Sequence, residues 1–251
     1  MTRKFPFLLI LVLLAAWVFL TLNIGNSWVG HQDANGAWIS VAVRNYHWHG
    51  FFALDGMIDQ NADIVGAVSP YLHHPPLAVW LFALPTAFAG YDEAVIRFGA
   101  ASCTLISGAA LYVLARRLAG GHVALWSAAF YLLTPMMMYF GRMPDHEAPA
   151  LMFVILFAAV LVNWLRRPTR REWWALVVLT ILCAWTAWGA LIVIGILGLM
   201  ALVYTKRRLA VVMLGVVALA SVVALLGYYT YFYPNTGTDL LEAFVWRTSS
   251  T

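Results

Sequence analysis

Four short clusters of basic residues punctuate a chain that is otherwise a succession of long apolar runs, and this alternation dictates most of what the chain can become. The clusters are Arg3/Lys4, Arg116/Arg117, Arg166/Arg167/Arg170/Arg171 and Lys206/Arg207/Arg208. The composition is 63% hydrophobic and only 10% charged, with a mean hydropathy of +0.80. In water such runs would have no surface to cover them, whereas in a bilayer each can close its backbone hydrogen bonds as a helix. The chain therefore reads as an all-α, polytopic transmembrane helical bundle. A net charge of +4 would invite a nucleic-acid reading in a soluble protein. Here the cations lie in short connections between spans, the positive-inside pattern, which removes nucleic acid from consideration.

Parity sets the number of passes. If every basic cluster faces the cytoplasm, an even number of crossings separates each pair. Residues 7–24 follow the first cluster and reach about 27 Å at 1.5 Å per residue, enough for one crossing. The run has no small-x-small cleavage site behind it, so it reads as a retained span rather than a signal peptide. Residues 173–204 are too long for one helix and would place their flanking clusters on opposite sides, so two short passes turning near Trp188 and Gly189 are expected. Residues 77–90 are short, opened by two prolines and interrupted by Pro85, and read as a juxtamembrane helix. About seven spans result, at 7–24, 94–115, 122–140, 148–165, 173–188, 190–204 and 209–227. The N-terminus lies inside, with external segments at 25–93, 141–147 and 228–251, in a single transmembrane domain of an integral, plasma (inner) membrane protein. Cys103 and Cys183 fall inside apolar runs and behave as small hydrophobes.

The polar residues concentrate in the external segments. Asp33 opens an amphipathic stretch that continues to about Trp48, and it is either the cap of that helix or a general base held at the membrane surface. His73-His74-Pro75-Pro76 is an extended stretch in which two prolines aim the preceding side chains, for phosphate or metal binding or as an ordinary interfacial loop. In Arg142-Met143-Pro144-Asp145-His146-Glu147, Asp145 can cap the following helix. An external Arg142 calls for a carboxylate or an anionic ligand, as do Arg97 and Arg247. Asp55, Asp59 and Asp63 recur every four residues, which one exposed helical face would explain; no calcium-loop pattern accompanies them.

In order and spacing these pieces resemble the C-type membrane glycosyltransferases, in particular the branch of the protein O-mannosyltransferases and the lipid A aminoarabinose transferase. The shared elements are His31-Gln32-Asp33, Ala42-Val43-Arg44-Asn45 with Gly50, His74-Pro75-Pro76-Leu77, Ala115-Arg116-Arg117-Leu118, Arg142-Met143-Pro144-Asp145 and Phe244-Val245-Trp246-Arg247. The resemblance implies transfer of a sugar from a polyprenyl-phosphate donor to an acceptor at the outer membrane face, usually with inversion. It places the catalytic carboxylate at Asp33 and the second acidic residue at Asp145. It turns His74 toward the carrier phosphate, where relatives often keep lysine, and puts His73 where some relatives ligate a divalent metal. Fixed cations such as Arg142, Arg97, Arg247 or His74 would stabilise the phosphate as its charge develops. The family pattern runs about twice as far, so a catalytic half, an additional subunit or missing C-terminal half, and a non-catalytic subunit that binds lipid or packs in a larger complex all stay open. A transporter is disfavoured, because spans three to seven contain almost no ionisable residue for an ion pathway.

Overall fold

The computed structural model describes residues 4–28, 33–61 and 70–249, with the side chains of 4–6, 243 and 246–249 left out. Within them the chain forms eleven helices: α1 (Lys4–Thr21), α2 (Ala34–His49), α3 (Leu77–Ala89), α4 (Glu93–Ala119), α5 (Gly121–Leu133), α6 (Pro135–Phe140), α7 (Glu147–Arg166), α8 (Arg170–Thr186), α9 (Trp188–Tyr204), α10 (Arg208–Phe232) and α11 (Thr236–Ser249). Three of them, α4, α7 and α10, are individually long and apolar enough to cross a bilayer; 7–21, 121–133 and 188–204 are shorter apolar helices. This is a polytopic membrane bundle, as the apolar runs predict.

Helix α4 is the hub and packs on α1, α3, α5 and α7, while α7, α8, α9 and α10 form a second group joined to it through the α4–α7 contact. Gly108 permits the close approach of α4 and α5, since a Cβ there would stand 2.5 Å from the Leu132 side chain. The core of the second group is built from Phe153, Phe157, Leu161 and Trp164 of α7 against Leu176, Cys183 and Ile194. Hydroxyls that the bilayer cannot solvate turn back onto their own helices: Ser107 donates to Cys103 O, Thr180 to Leu176 O and Ser221 to Val217 O, each four residues back. Outward faces of α9 and α10 remain apolar, with Leu199, Val203, Leu209 and Leu219 exposed, as a lipid-facing surface requires.

Helix caps mark the interfaces. Asp92 accepts from Ala94 N at 2.7 Å to open α4, and Thr169 accepts from Glu172 N at 3.2 Å to open α8; each such cap is worth about 1 kcal/mol. The turn between α8 and α9 is the single extended residue Ala187, so residues 173–204 form two helices and not one.

Several sequence expectations need correction. The span expected at 122–140 is broken, because Pro135 cannot donate an N–H and pushes Thr134 into an extended conformation (φ −70°, ψ 143°). Helix α6 consequently departs in a new direction. Within the segment 228–251, α10 continues to Phe232 and α11 (Thr236–Ser249) follows it. The helical face proposed for Asp55, Asp59 and Asp63 does not exist. Residues 51–56 are turns, with Asp55 at φ 52°, and Asp59 is buried in an isolated bridge to Pro70. Its carboxylate accepts from Asn45 Nδ2 at 2.9 Å, a local hydrogen bond that helical spacing could not reveal; Asp63 lies outside the described residues.

Candidate active site at one rim of the bundle

The turns that carry the basic clusters meet at one end of the bundle. Arg166 donates to Arg117 O and Arg117 to Ala159 O, both at 2.7 Å, and Arg170 and Arg207 line one small cleft with Trp164 and Trp173. The segments bearing the candidate site residues gather at the opposite end, where α2, the His-His-Pro-Pro stretch, the α6–α7 turn and the α8–α9 turn converge.

Asp33 stands at the cap position of α2, yet its backbone is helical (φ −83°, ψ −1°) and its side chain makes no cap hydrogen bond. The capping explanation for this residue therefore fails, and its carboxylate points elsewhere: Tyr139 Oη, at the tip of α6, donates to Asp33 Oδ1 at 3.3 Å. One turn into α2, Asn35 Nδ2 donates to Asp145 Oδ2. The first turn of α2 thus brings the two acidic residues, more than a hundred positions apart in sequence, to one rim.

Asp145 does not cap α7 with its side chain; its Oδ1 accepts the His146 N–H at 2.7 Å and lies 3.4 Å from His146 Nδ1. Burial by itself would raise the Asp145 pKa. The hydrogen bonds from the His146 ring, Glu147, the His146 backbone and Asn35 outweigh it and bring the carboxyl down to about 2. Asp145 is therefore a fixed anion at neutral pH. The ring nitrogen facing that anion, His146 Nδ1, is placed to donate to it.

His146 is buried and stacks near His74, with ring centroids 4.5 Å apart, while Tyr71 Oη contacts His74 Nδ1 at 2.8 Å. The His-His-Pro-Pro stretch is tied down from two other helices: Trp188 Nε1 donates to His73 O and Tyr229 Oη to His74 O, both at 2.7 Å. His74, His146 and Glu147 form the polar head of a cavity of about 470 Å³ that continues between α7 and α9 over Ala150, Leu151, Val154 and Val193. An apolar groove with a polar head suits an amphipathic, lipid-linked ligand.

The arginines divide. Arg97 is 6% exposed, donates to Ile24 O and Asn26 O, pairs with Glu93 at 3.7 Å and lies 3.7 Å over the Trp28 ring. It pins the segment leaving α1, with Asp33, Tyr139 and Arg142 in electrostatic range. Arg142 donates to Leu22 O, which ties the α6–α7 turn to α1. The side chain of Arg247 lies outside the described residues. His73 meets the Tyr71 ring at 5.0 Å, and among the described residues no three His, Cys, Asp or Glu side chains are grouped to hold a metal ion. Tyr139, Asn35 and His146 belong to the rim but drew no attention in the sequence. Only His146 left a signal, as a histidine between two acidic residues at a helix start.

A polytopic bundle with a polar rim above an apolar groove defines the class of membrane fold to which the chain belongs. The fold matches the crystal structure of ArnT from Cupriavidus metallidurans in the apo state, with a TM-score of 0.70 and 19% sequence identity. The match covers 94% of this chain and 43% of that one, so the chain spans less than half the length of the solved structure. The chain belongs to the dolichyl-phosphate-mannose-protein mannosyltransferase family, whose sequence model matches residues 73–233. No curated protein matches it significantly.

Proposed function

We propose that this chain carries the catalytic rim of a membrane glycosyltransferase that moves a sugar from a polyprenyl-phosphate donor to an acceptor hydroxyl, with inversion, at the face of the membrane opposite its basic turns. One observation carries the reading: Asn35, two residues after Asp33, donates to Asp145, whose neighbours His146 and Glu147 line the polar head of an apolar groove. Family membership makes the lipid-linked sugar the natural donor.

In this reading Asp33 takes the proton of the acceptor hydroxyl as its oxygen attacks the anomeric carbon, and the bond from that carbon to the phosphate oxygen breaks on the opposite face. The electron pair leaves with the polyprenyl phosphate, whose charge Arg142 and His74 stabilise. Tyr139 orients Asp33, and Arg97 holds the backbone just past α1 at Ile24 and Asn26. Asp145, an anion throughout the neutral range, organises the rim. His73 would join a divalent metal site if one is used, and Arg247 completes the cation set from the C-terminal helix.

The test is transfer of labelled sugar from a polyprenyl-phosphate-sugar donor by membranes containing wild-type or Asp33→Asn protein. Removal of a general base lowers rates by about 10²–10⁴-fold, so the variant should lose transfer while retaining its thermal stability. Equal transfer by both proteins excludes Asp33 as the base, and no transfer by wild type favours a non-catalytic subunit on the same scaffold.

A further inference from the structure

The buried imidazole of His146 has no part in the reading above, and its surroundings are unusual. It is 4% exposed, Nδ1 faces the Asp145 carboxylate, and Nε2 has no hydrogen-bond partner among the described residues. A buried polar nitrogen left without a partner costs about 1–3 kcal/mol, so such groups are rare unless something else binds them. His146 also lines the groove between α7 and α9, next to His74.

We infer that His146 Nε2 is a hydrogen-bond donor to the phosphate of an amphipathic ligand seated in the α7–α9 groove, and that Asp145 is a positioning residue acting through it. This rests on the lipid-linked donor of the proposed function and adds a residue to its phosphate end. Three features select a phosphate as the group met by Nε2. The walls of the groove are apolar, so the ligand's polar atoms must collect at the end formed by His74, His146 and Glu147. Two imidazoles stand side by side there, on separate segments of the chain, and each can offer an N–H to a different oxygen. In its imidazolium form the ring donates from both nitrogens, Nδ1–H toward the carboxylate and Nε2–H toward the ligand. Glu147 is the other carboxyl at that end. Asp145 then governs phosphate recognition without touching it.

The experiment uses the full chain in nanodiscs, with farnesyl phosphate as probe and farnesol and inorganic phosphate as separate arms, followed by intrinsic fluorescence, since Trp188 lines the groove. Wild type should bind farnesyl phosphate at least tenfold more tightly than farnesol, and inorganic phosphate weakly. His146→Asn keeps a nitrogen near Nδ1 and loses the one near Nε2, and His146→Phe keeps the ring volume and loses both. Each should weaken farnesyl phosphate about tenfold while leaving farnesol unchanged. His146→Gln, whose amide reaches toward the Nε2 position, should recover most of the loss, which a purely space-filling role would not produce. Asp145→Asn should weaken farnesyl phosphate without affecting farnesol. Wild-type affinity for farnesyl phosphate in His146→Asn or His146→Phe, or a parallel fall for farnesol, overturns the inference and leaves the transferase reading standing. Discrimination lost as described, in a protein that transfers no sugar, overturns the transferase reading and leaves the phosphate contact standing.

Discussion

At the residue scale, polar side chains here do two kinds of work that the sequence does not distinguish. Arg97 and Arg142 both look like cations awaiting an anion, yet Arg97 is enclosed by two carbonyls, Glu93 and the Trp28 ring. Replacing Arg97 with Ala strands the carbonyls of Ile24 and Asn26 and leaves Glu93 without its cation. It should destabilise the protein by about 2–3 kcal/mol, read as a fall in the unfolding temperature in detergent. Arg97→Lys should recover less than half of that, because a single ammonium cannot fork to two carbonyls and stack on an indole. Unchanged melting of Arg97→Ala would show that the segment after α1 is held by other contacts. Asp33 is the opposite case. Its type and its place just past the first span marked it in the sequence, but the absence of a cap bond, which separates the two readings of it, depends on backbone dihedrals that no composition encodes. The unpartnered nitrogen of His146 was illegible for a related reason, since it is a property of everything around the ring.

At the scale of elements, the site depends on breaks more than on helices. Pro135 separates α5 from α6 and sends Tyr139 toward Asp33, while Ala187 lets α8 and α9 turn within one residue and places Trp188 over the His-His-Pro-Pro stretch. Apolar periodicity located the helices to within a few residues, because the bilayer demands length and hydrophobicity that are visible in one dimension. It ran 122–140 together as one span because a proline at a helix start and a proline within a helix look alike until the direction of the chain is known. The two tethers on the histidine stretch, from Trp188 and Tyr229, are each neutral hydrogen bonds worth about 1 kcal/mol. Trp188→Phe with Tyr229→Phe should therefore lower stability by only about 2 kcal/mol. The same change lets His74 drift, and misplacement of about 1 Å in a positioning group can reduce rates on the order of a hundredfold. The prediction is a double variant that still folds but transfers sugar far more slowly; full activity at reduced stability would show that the tethers do not position His74.

At the scale of the whole molecule, the basic turns and the acidic rim occupy opposite ends of one bundle, and this separation is the strongest support for the parity reading of the sequence. Counting 77–90 as a crossing would put Arg116 and Arg117 at the same end as Asp33 and separate Asp33 from Asp145; instead Asn35 reaches Asp145, Arg166 at the far end of α7 hydrogen-bonds to Arg117 O, and α3 lies against α2 and α4. The spatial arrangement fixes which residues share an end, and the positive-inside bias supplies the direction. Labelling can test both together, because the two native cysteines are buried in helices and give a low background. Phe52 is 89% exposed in the segment between α2 and the histidine stretch, and Lys206 is exposed in the α9–α10 turn. In intact cells a membrane-impermeant maleimide should modify Phe52→Cys and spare Lys206→Cys, with Lys206→Cys reacting only after permeabilisation. Reversed labelling would keep the shared rim but place the reaction on the cytoplasmic side, where a donor would be met before any lipid had to cross the membrane. Equal labelling of both sites in sealed cells would break the parity on which seven passes rest, because two positions at opposite ends of a spanning bundle cannot both face the same aqueous phase.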